Sequence, residues 1–434
     1  MSLPKYPRYK DSGVEWLGEV PDHWKITRVR HACECLDGRR IPLNAVERHE
    51  RAGEVPYWGA NNIVDYIDSY LFNEDLVLLG EDGAPFFDRS RPVAFFVQGP
   101  VWPNNHIHVL RPYEIGAGPF IMFSLNATDY SQFIDGSTRD KLTQSSMNEI
   151  PLPWPPQVER KMIVTFLNRE TAKIEALISE QQRLIELLNE KRQAVTSHAV
   201  TRGLNPDAPM KPSGVEWLGD VPAHWDITAL KRVATVRTGV AKGKDYGTRR
   251  TVTVPYLRVA NVQDGYLNLT EVSTMEIPVE ELDRYRLRSG DVLMNEGGDF
   301  DKLGRGHVWE GQIDPCITQN HVFAVRPEAV SSTWLNTITS SDYGQFYFMT
   351  RAKQSTNLAS ISSTNLMDLP VLLPPVAEQE EIQAFIRRQT VAFDSLIAEA
   401  ERAIALLQEC RSALISAAVT GKIDVRGLAQ AEAA

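Results

Sequence analysis

Apolar side chains recur at alternating steps of four and three residues along two long segments of this 434-residue chain. The first segment follows Pro155 and Pro156 and contains no proline or glycine until Gly203. Prolines at a helix start followed by this spacing predict a long helix with a heptad seam in each segment. The predicted seam residues are Ile163, Leu167, Ile174, Leu177, Leu184, Leu188 and Val195 in the first helix, and Ile382, Ile386, Phe393, Leu396, Leu407 and Leu414 in the second.

A helix of this length cannot bury its apolar stripe alone, and the chain offers two such stripes. We therefore predict that the helices pair as a coiled coil, either parallel or antiparallel. The alternative is that each helix packs on its own globular domain.

The regions before each predicted helix have a different pattern. Short β-rich runs such as "DLVLLG" and "HVFAVRP" alternate with Gly, Pro and Asn over residues 30–150 and 230–368. Such runs are typical of strands separated by turns. Each region is predicted to form a compact α/β domain.

The chain is also an internal repeat. "SGVEWLGEVPDHWKIT" (Ser12–Thr27) returns as "SGVEWLGDVPAHWDIT" (Ser213–Thr228), and the offset between copies grows from 201 to 219 residues before staying constant through the helices. A constant length indicates a rigid element, and a variable length indicates loops.

The predicted fold is α+β: two globular α/β domains separated by two long helices paired as a coiled coil, with an internal pseudo-two-fold repeat. The predicted boundaries are 1–154 for the first head motif and domain, 155–203 for the first helix, 204–373 for the linker with the second head and domain, and 374–434 for the second helix and tail. Trp16, Trp24, Trp217 and Trp225 in the repeated heads are predicted to dock each domain on the helices.

Composition narrows the possible functions. No apolar run approaches the roughly 20 residues that span a bilayer, and the start lacks a secretion signal, so we expect a cytoplasmic protein without membrane contact. The four cysteines are too scattered for a disulfide framework, and we expect buried free thiols. A net charge of −10 disfavours indiscriminate nucleic-acid coating but leaves room for a local basic surface.

Catalytic and cofactor motifs are not found in the sequence. "GVAKGKD" (Gly239–Asp245) lacks the spacing of a phosphate-binding loop, and no dinucleotide fingerprint or metal-binding helix is present. We therefore predict no catalytic residue, no metal site and no cofactor bound by this chain. One alternative is a metal-dependent nuclease using Asp291, Glu296 and Asp299, and another is a helical scaffold protein.

The two middle domains contain the side chains that contact bases and phosphates in DNA. The candidates are Arg39, Arg40, Asn61, Asn62, Arg89, Arg91, Asn104 and Asn105 in the first domain, and Lys242, Lys244, Arg249, Arg250, Arg258, Asn261, Asn320, Lys353 and Gln354 in the second.

The chain resembles the DNA-specificity subunits of type I restriction-modification systems over essentially its full length. The motifs are the paired "SGVEWLG-VP-HW" heads, "LPPVAEQEEI" (Leu373–Ile382) and "NLASISSTNLMDLPV" (Asn357–Val371). The first helix entry departs from the usual form, with Arg160 where Gln is common.

This resemblance implies that each middle domain is a target recognition domain reading half of a split, asymmetric site in double-stranded DNA. It also implies that the helices act as a spacer and dock two methyltransferase subunits that carry S-adenosylmethionine. Restriction subunits that use ATP and Mg²⁺ to translocate and cleave DNA are expected to join the complex.

Overall fold

The computed structural model describes residues 4–135, 140–298, 300, 303–304, 306–354 and 359–428. Asp299 and the first two residues of the "NLASISSTNLMDLPV" motif lie outside these ranges. The chain divides into two compact units. The first unit combines Met1–Arg183 with Glu399–Ala434, and the second unit is Leu184–Ala398. In the ranges given, no helix is both long and apolar enough to cross a membrane.

The first unit contains two four-stranded sheets. The first sheet has the strand order Ile63–Ile67, Ala52–Trp58, Pro100–Pro103, Phe72–Asn73. The second sheet has the strand order Cys33–Cys35, Ile107–Pro112, Leu76–Gly80, Ala94–Val97. Two-stranded pairs join Tyr9–Asp11 to Glu19–Pro21, Lys25–Arg28 to Pro151–Trp154, and Ile134–Asp135 to Lys141–Leu142. Short helices span Val29–Ala32, Ala45–Glu50, Gly118–Ala127 and Gln144–Glu149, with a 3-10 turn at Asp37–Arg39.

The second unit repeats much of this arrangement. Its four-stranded sheet has the order Ala234–Thr238, Val322–Pro327, Val292–Asn295, Gly306–Val308. One three-stranded sheet has the order Ser273–Pro278, Thr251–Leu257, Ile317–Thr318. The other three-stranded sheet has the order Gly297–Gly298, Ala359–Ser360, Lys353–Gln354. Strand pairs join Met210–Pro212 to Asp220–Pro222 and Asp226–Ala229 to Pro370–Leu373. Helices span Leu282–Tyr285, Ser332–Thr339, Asp342–Arg351 and Ser363–Met367, with 3-10 turns at Leu230–Arg232, Val259–Asn261 and Val279–Glu281.

Two long helices begin directly after proline pairs. The first long helix is Gln157–Arg202 and the second is Val376–Val419. Arg160 donates a side-chain hydrogen bond to the Pro155 carbonyl at 2.7 Å, and Gln379 donates the equivalent bond to Pro374 at 2.8 Å. Arginine therefore replaces glutamine here without loss of the contact that fixes the helix entry. Gly203, with φ of +73°, follows the first helix in the left-handed conformation that favours glycine.

Within the first unit, the start of the first helix packs near the end of the second. Ile163, Phe166 and Leu167 share one buried cluster with Ala418 and Val419. The guanidinium of Arg411 also forms an ion pair with Glu175. Contacts inside this unit therefore pair early residues of one helix with late residues of the other.

The second unit shows the complementary order. Ala199 and Val200, at the end of the first helix, share a buried cluster with Ile382 near the start of the second. The guanidinium of Arg192 forms an ion pair with Asp394. Here late residues of the first helix contact early residues of the second.

The predicted seam residues differ in exposure, and several in the middle of the helices are exposed. Leu177 is 52% exposed, Leu184 is 42% exposed and Leu396 is 47% exposed, whereas Ile178, next to Leu177, is only 5% exposed. Ile397, beside Leu396, is likewise less exposed than its neighbour. The buried face thus takes two successive steps of four residues near this point in both helices.

The physical reason is the mismatch between 3.6 residues per turn and a 3.5-residue repeat, which turns a strict heptad stripe by about 20° per heptad. An extra step of four returns the apolar side chains to the buried face. The same correction falls at corresponding positions of the repeat.

The cysteines are free thiols, but they are not all buried. Cys33 and Cys316 are buried and Cys35 is half-buried, whereas Cys410 is exposed on the second long helix. The sequence expectation of uniformly buried thiols was therefore wrong for Cys410.

Candidate nucleic-acid interface

In the first unit, the asparagine-rich turns meet at the carboxyl end of a parallel strand pair. Trp102 pairs with Tyr57 and Pro103 with Trp58, and each strand then runs into an Asn-Asn turn. The Asn104 N–H donates to the Trp58 carbonyl at 3.0 Å, which joins the two turns. Parallel strands expose their following loops at one edge, where α/β folds commonly bind ligands.

Glycine allows these turns to approach a third strand. A Cβ atom on Gly80 would lie 2.9 Å from the Ala60 carbonyl oxygen and 2.3 Å from the Ala84 Cβ. A side chain at Gly80 would therefore push the loop carrying Asn61 and Asn62 away. This edge of the first unit, formed by residues 59–62, 81–82 and 104–106, is called the first reading edge.

The second unit builds an equivalent edge. Tyr256 pairs with Ile317 in parallel, and the Gln319 N–H donates to the Leu257 carbonyl at 2.9 Å. The Glu296 N–H donates to the His321 carbonyl at 3.0 Å, as the Glu81 N–H does to His106 at 2.9 Å. We call residues 258–261, 296–298 and 319–321 the second reading edge.

A cavity of about 510 Å³ lies beside the second reading edge. Its lining includes His321, Lys353 and Gln354, together with the side-chain-free surface of Gly297 and Gly298. Lys353 and Gln354 are exposed. A lysine and an amide beside a concave surface can donate to phosphate oxygens or base edges.

Three sequence candidates are held by internal partners. Asn261 is 3% exposed, and its amide donates to the carbonyls of Asn268 and Glu271 at 2.9 and 2.8 Å. Asn104 is 9% exposed and accepts from the His106 N–H at 2.7 Å. Arg40 donates to Glu81 at 2.6 Å and to the Ile107 carbonyl at 2.9 Å. These side chains shape the reading edges rather than facing outward from them.

The remaining candidates of the first unit are more accessible. Asn62, Arg89, Arg91 and Asn105 are exposed and Asn61 is half-buried. Arg39 is also exposed, and its guanidinium lies 4.7 Å from the centroid of the Phe72 ring. The Arg89 carbonyl accepts a hydrogen bond from Ser412 on the second long helix, so Arg89 and Arg91 lie away from the asparagine turns.

In the second unit the basic candidates form an exposed segment before the strand Thr251–Leu257. Lys242, Lys244, Arg249 and Arg250 are all exposed, but Arg249 is paired with Glu280 and Glu281 at 2.8 and 2.7 Å. Hydrogen bonds to these carboxylates raise the pKa of Arg249. Arg258 and Asn320 are half-buried at the second reading edge.

A charged network in the interior of the first unit was not predicted. His108 is 1% exposed, with Nδ1 2.6 Å from the Asp37 carboxylate and Nε2 2.9 Å from the Leu142 carbonyl oxygen. A carbonyl oxygen and an ionised carboxylate are both acceptors, so the ring of His108 is held between two acceptor groups. Burial alone would raise the pKa of Asp37, but the hydrogen bond and charge of His108, with the Val109 N–H and Arg40, hold it below its usual value.

Asp37, Glu81 and His108 bring potential metal-ligand atoms within 4.8 Å of one another. However, both nitrogens of His108 already lie within hydrogen-bond distance of protein oxygens, and Glu81 is paired with Arg40. The cluster is therefore accounted for as an ionic network. The alternation of His106 and His108 along a strand was the available signal, but the partner Asp37 lies 71 residues away.

The alternative nuclease cluster is not assembled among the residues that the structure describes. Asp291 is 1% exposed and accepts both guanidinium hydrogen bonds of Arg326 at 2.7 Å. Glu296 pairs with His321 at 3.3 Å, and Asp299 lies outside the described ranges. Asp291 therefore has a structural role.

Of the four head tryptophans, Trp24 and Trp225 contact residues of the long helices. Trp24 is fully buried, and its indole N–H donates to Glu159 at 3.0 Å in the first turn of the first long helix. Trp225 is fully buried in the cluster that contains Ala199 and Val200. Trp16 and Trp217 are half-buried, and Trp217 lies 5.9 Å from Tyr347 between ring centroids.

Glu159 also accepts from the Tyr6 hydroxyl at 2.5 Å and lies 2.8 Å from His23 Nε2. Burial and the carboxylate raise the pKa of Tyr6. In the second copy Glu378 keeps the pairing with His224 at 2.7 Å.

The family described as "Type I restriction modification DNA specificity domain" matches residues 21–187. A putative type I restriction enzyme specificity subunit of Haemophilus influenzae, S.HindORF215P, is 26% identical over 343 residues, covering 77% of this chain and 80% of the relative. The EcoKI specificity subunit of Escherichia coli is 23% identical over 447 residues, covering 95% of this chain and 92% of the relative.

A solved chain from a study of assembly and conformational transition in a type I restriction-modification system has a similar fold. Its TM-score is 0.58 at 17% sequence identity, with 92% of this chain and 98% of that chain covered.

Proposed function

Because this chain belongs to the specificity subunits of type I restriction-modification systems, we propose that its two units read the two halves of a split, asymmetric DNA target. The chain is the non-catalytic recognition component of such a complex. Double-stranded DNA is its ligand in this proposal.

The observation that carries the proposal is that the two reading edges share one backbone arrangement but present different exposed side chains. Both reading edges have the same parallel strand pair and the same two backbone hydrogen bonds. The first edge presents Asn61 and Asn62, and the second presents Arg258 beside Lys353. Asparagine amides suit adenine and guanidinium groups suit guanine, so two edges with different donors suit an asymmetric target.

In this proposal the two long helices form an antiparallel coiled coil that sets the unread gap between half-sites. The support is the opposite order of contacts within the two units, Glu175 with Arg411 and Arg192 with Asp394. At 1.5 Å per residue, a helix of 46 residues extends roughly 70 Å, or about two turns of DNA.

We further propose that the helices dock two methyltransferase subunits, which would bind S-adenosylmethionine and methylate adenine. Restriction subunits would add ATP- and Mg²⁺-dependent translocation and cleavage. No residue of this chain is assigned to those cofactors.

Single-molecule sequencing of modified adenines tests the proposal in a host that expresses this chain with its methyltransferase. We expect one bipartite motif with two different half-sites and a gap of constant length. A continuous motif, or no methylation that depends on this chain, would contradict it. A plasmid with Mg²⁺ and the purified chain alone should remain uncut, and cleavage would favour the nuclease alternative.

A further inference from the structure

The two reading edges differ in most exposed side chains but share an Asn-His dipeptide. Asn105 and His106 in the first edge correspond to Asn320 and His321 in the second, at an offset of 215 residues. In both units the backbone carbonyl of this histidine accepts from the N–H of a glutamate on the neighbouring strand. The dipeptide therefore occupies the same place in both frames.

Other residues shared by the two copies nearby have internal partners. Arg111 forms ion pairs with Glu74 and Glu34 at 2.5 and 2.8 Å, and Arg326 pairs with Asp291 at 2.7 Å. Their retention is explained by packing and charge pairing within each unit.

The shared histidines are instead accessible. The side chain of His106 is 41% exposed and that of His321 is 59% exposed. Nδ1 of His106 lies 2.7 Å from Asp82, and Nδ1 of His321 lies 3.3 Å from Glu296. A carboxylate on Nδ1 fixes the orientation of a ring, so any further partner meets Nε2, which at His321 already contacts the Asn320 amide.

Asn105 is exposed, and the Asn320 amide nitrogen lies 3.2 Å from Nε2 of His321. An amide and an imidazole thus stand side by side at the tip of the second edge, and the first edge has the same two residue types at the corresponding positions. The amide can donate to an oxygen acceptor, and the imidazole can donate from Nε2 when that nitrogen carries a proton and the neighbouring amide has turned away from it.

Two domains that read different sequences share only the sugar-phosphate backbone as a common ligand. Phosphate contacts position a protein on DNA, and base contacts specify the sequence. We propose that Asn105–His106 and Asn320–His321 bind DNA phosphates and set the position of each unit. This inference rests on the proposed function and divides its residues: the side chains that differ between the edges, such as Asn62, read bases.

The test uses the full chain assembled with its methyltransferase. One duplex carries the bipartite motif found by methylation sequencing, and the other carries both half-sites scrambled. Binding is measured for His106→Ala, for His321→Ala and for the double variant. The side chains do not make the backbone hydrogen bonds of the turn, so these changes leave the frame intact.

We expect each single change to weaken binding to both duplexes by the same factor, on the order of tenfold, with the methylated motif unchanged. Asn105→Ala and Asn320→Ala should act in the same direction. The matched control Asn62→Ala should instead relax base preference in one half-site and leave the other intact.

A changed motif in the histidine variants would overturn the inference, and so would unchanged affinity for both duplexes. Absence of any split motif for the wild-type complex would instead refute the proposed function itself. The two failures are therefore separable.

Discussion

Replacement of Asp37 by alanine tests the buried ionic network of the first unit. The carboxylate lies 2.6 Å from Nδ1 of His108, whose side chain is 1% exposed, and it also accepts from the Val109 N–H at 2.8 Å. Removing it takes the hydrogen-bond acceptor away from Nδ1 of the buried His108 and leaves Glu81, 3.9 Å from that nitrogen, as the remaining carboxylate. Breaking one partner of a buried pair costs about 3–5 kcal/mol of unfolding free energy, and we expect a loss in that range.

The second unit provides a matched control. Thr238 pairs across the strands with Phe323 there, at the positions that correspond to Asp37 and His108. The double variant Asp37→Thr/His108→Phe removes both charges together. Because an apolar replacement of a buried ion pair is often close to neutral, it should be at least about 2 kcal/mol more stable than Asp37→Ala.

Hydrogen exchange in the strand Ile107–Pro112, followed against urea, measures this local stability in the full chain. A single global transition is unsuitable because the chain contains two compact units. A loss below about 1 kcal/mol for Asp37→Ala, or a double variant as unstable as the single one, would refute the reasoning.

The same network predicts a pH dependence. The pKa of Asp37 is lower in the folded chain than its unfolded value, so its stabilising contribution is complete above about pH 4. The contribution is lost as the pH falls through the folded pKa. Between about pH 5 and about pH 2, the strand Ile107–Pro112 should therefore lose more stability in wild type than in Asp37→Thr/His108→Phe.

Three further outcomes are expected. Ile178→Lys should lower the melting temperature, because it buries a charge at a cost of several kcal/mol. Leu177→Lys, on the exposed side of the helix, should change the free energy of unfolding by roughly 0.5 kcal/mol or less, and equal effects of the two variants would contradict the corrected seam. Glu159→Gln should lower the free energy of unfolding by about 1–3 kcal/mol, because it weakens the side-chain hydrogen bonds with Tyr6, His23 and Trp24. An unchanged thermal melting curve would contradict this expectation. Deleting one heptad from both long helices, around Leu184 and Ala403, should shorten the gap between the two methylated half-sites by about 3 base pairs and leave the half-site sequences unchanged. Altered half-site sequences would show that the helices do not set the spacing independently of the domains that read the bases.

The long helices could be predicted from local signals because proline pairs mark their starts and Gly203 follows the first end. The seam could not be followed to its middle, since a strict heptad count places Leu177 inside. Ile178 is buried instead, and both residues are apolar, so composition gives no warning of the extra step. The drift of a 3.6-residue helix decides between them.

The reading edges were predictable in composition but not in orientation. Asparagine turns after strands indicated where polar side chains would collect. Whether an amide faces outward depends on distant carbonyls, as Asn261 shows through its bonds to Asn268 and Glu271. The pairing of His108 with Asp37 joins elements that no local pattern relates.

The first unit is discontinuous, since it joins the start of the chain to its last helical residues. Two contacts join these distant parts of the chain. The Asp424 N–H donates to the Pro4 carbonyl at 2.7 Å, and Gly421 lies against Pro21 and Trp24. A ribosome releases these partners in the order of synthesis, and domains fold as their residues emerge. The second unit can therefore complete its core while the first still exposes the apolar surface around Trp24, so a truncated product would be a target for chaperones and proteases.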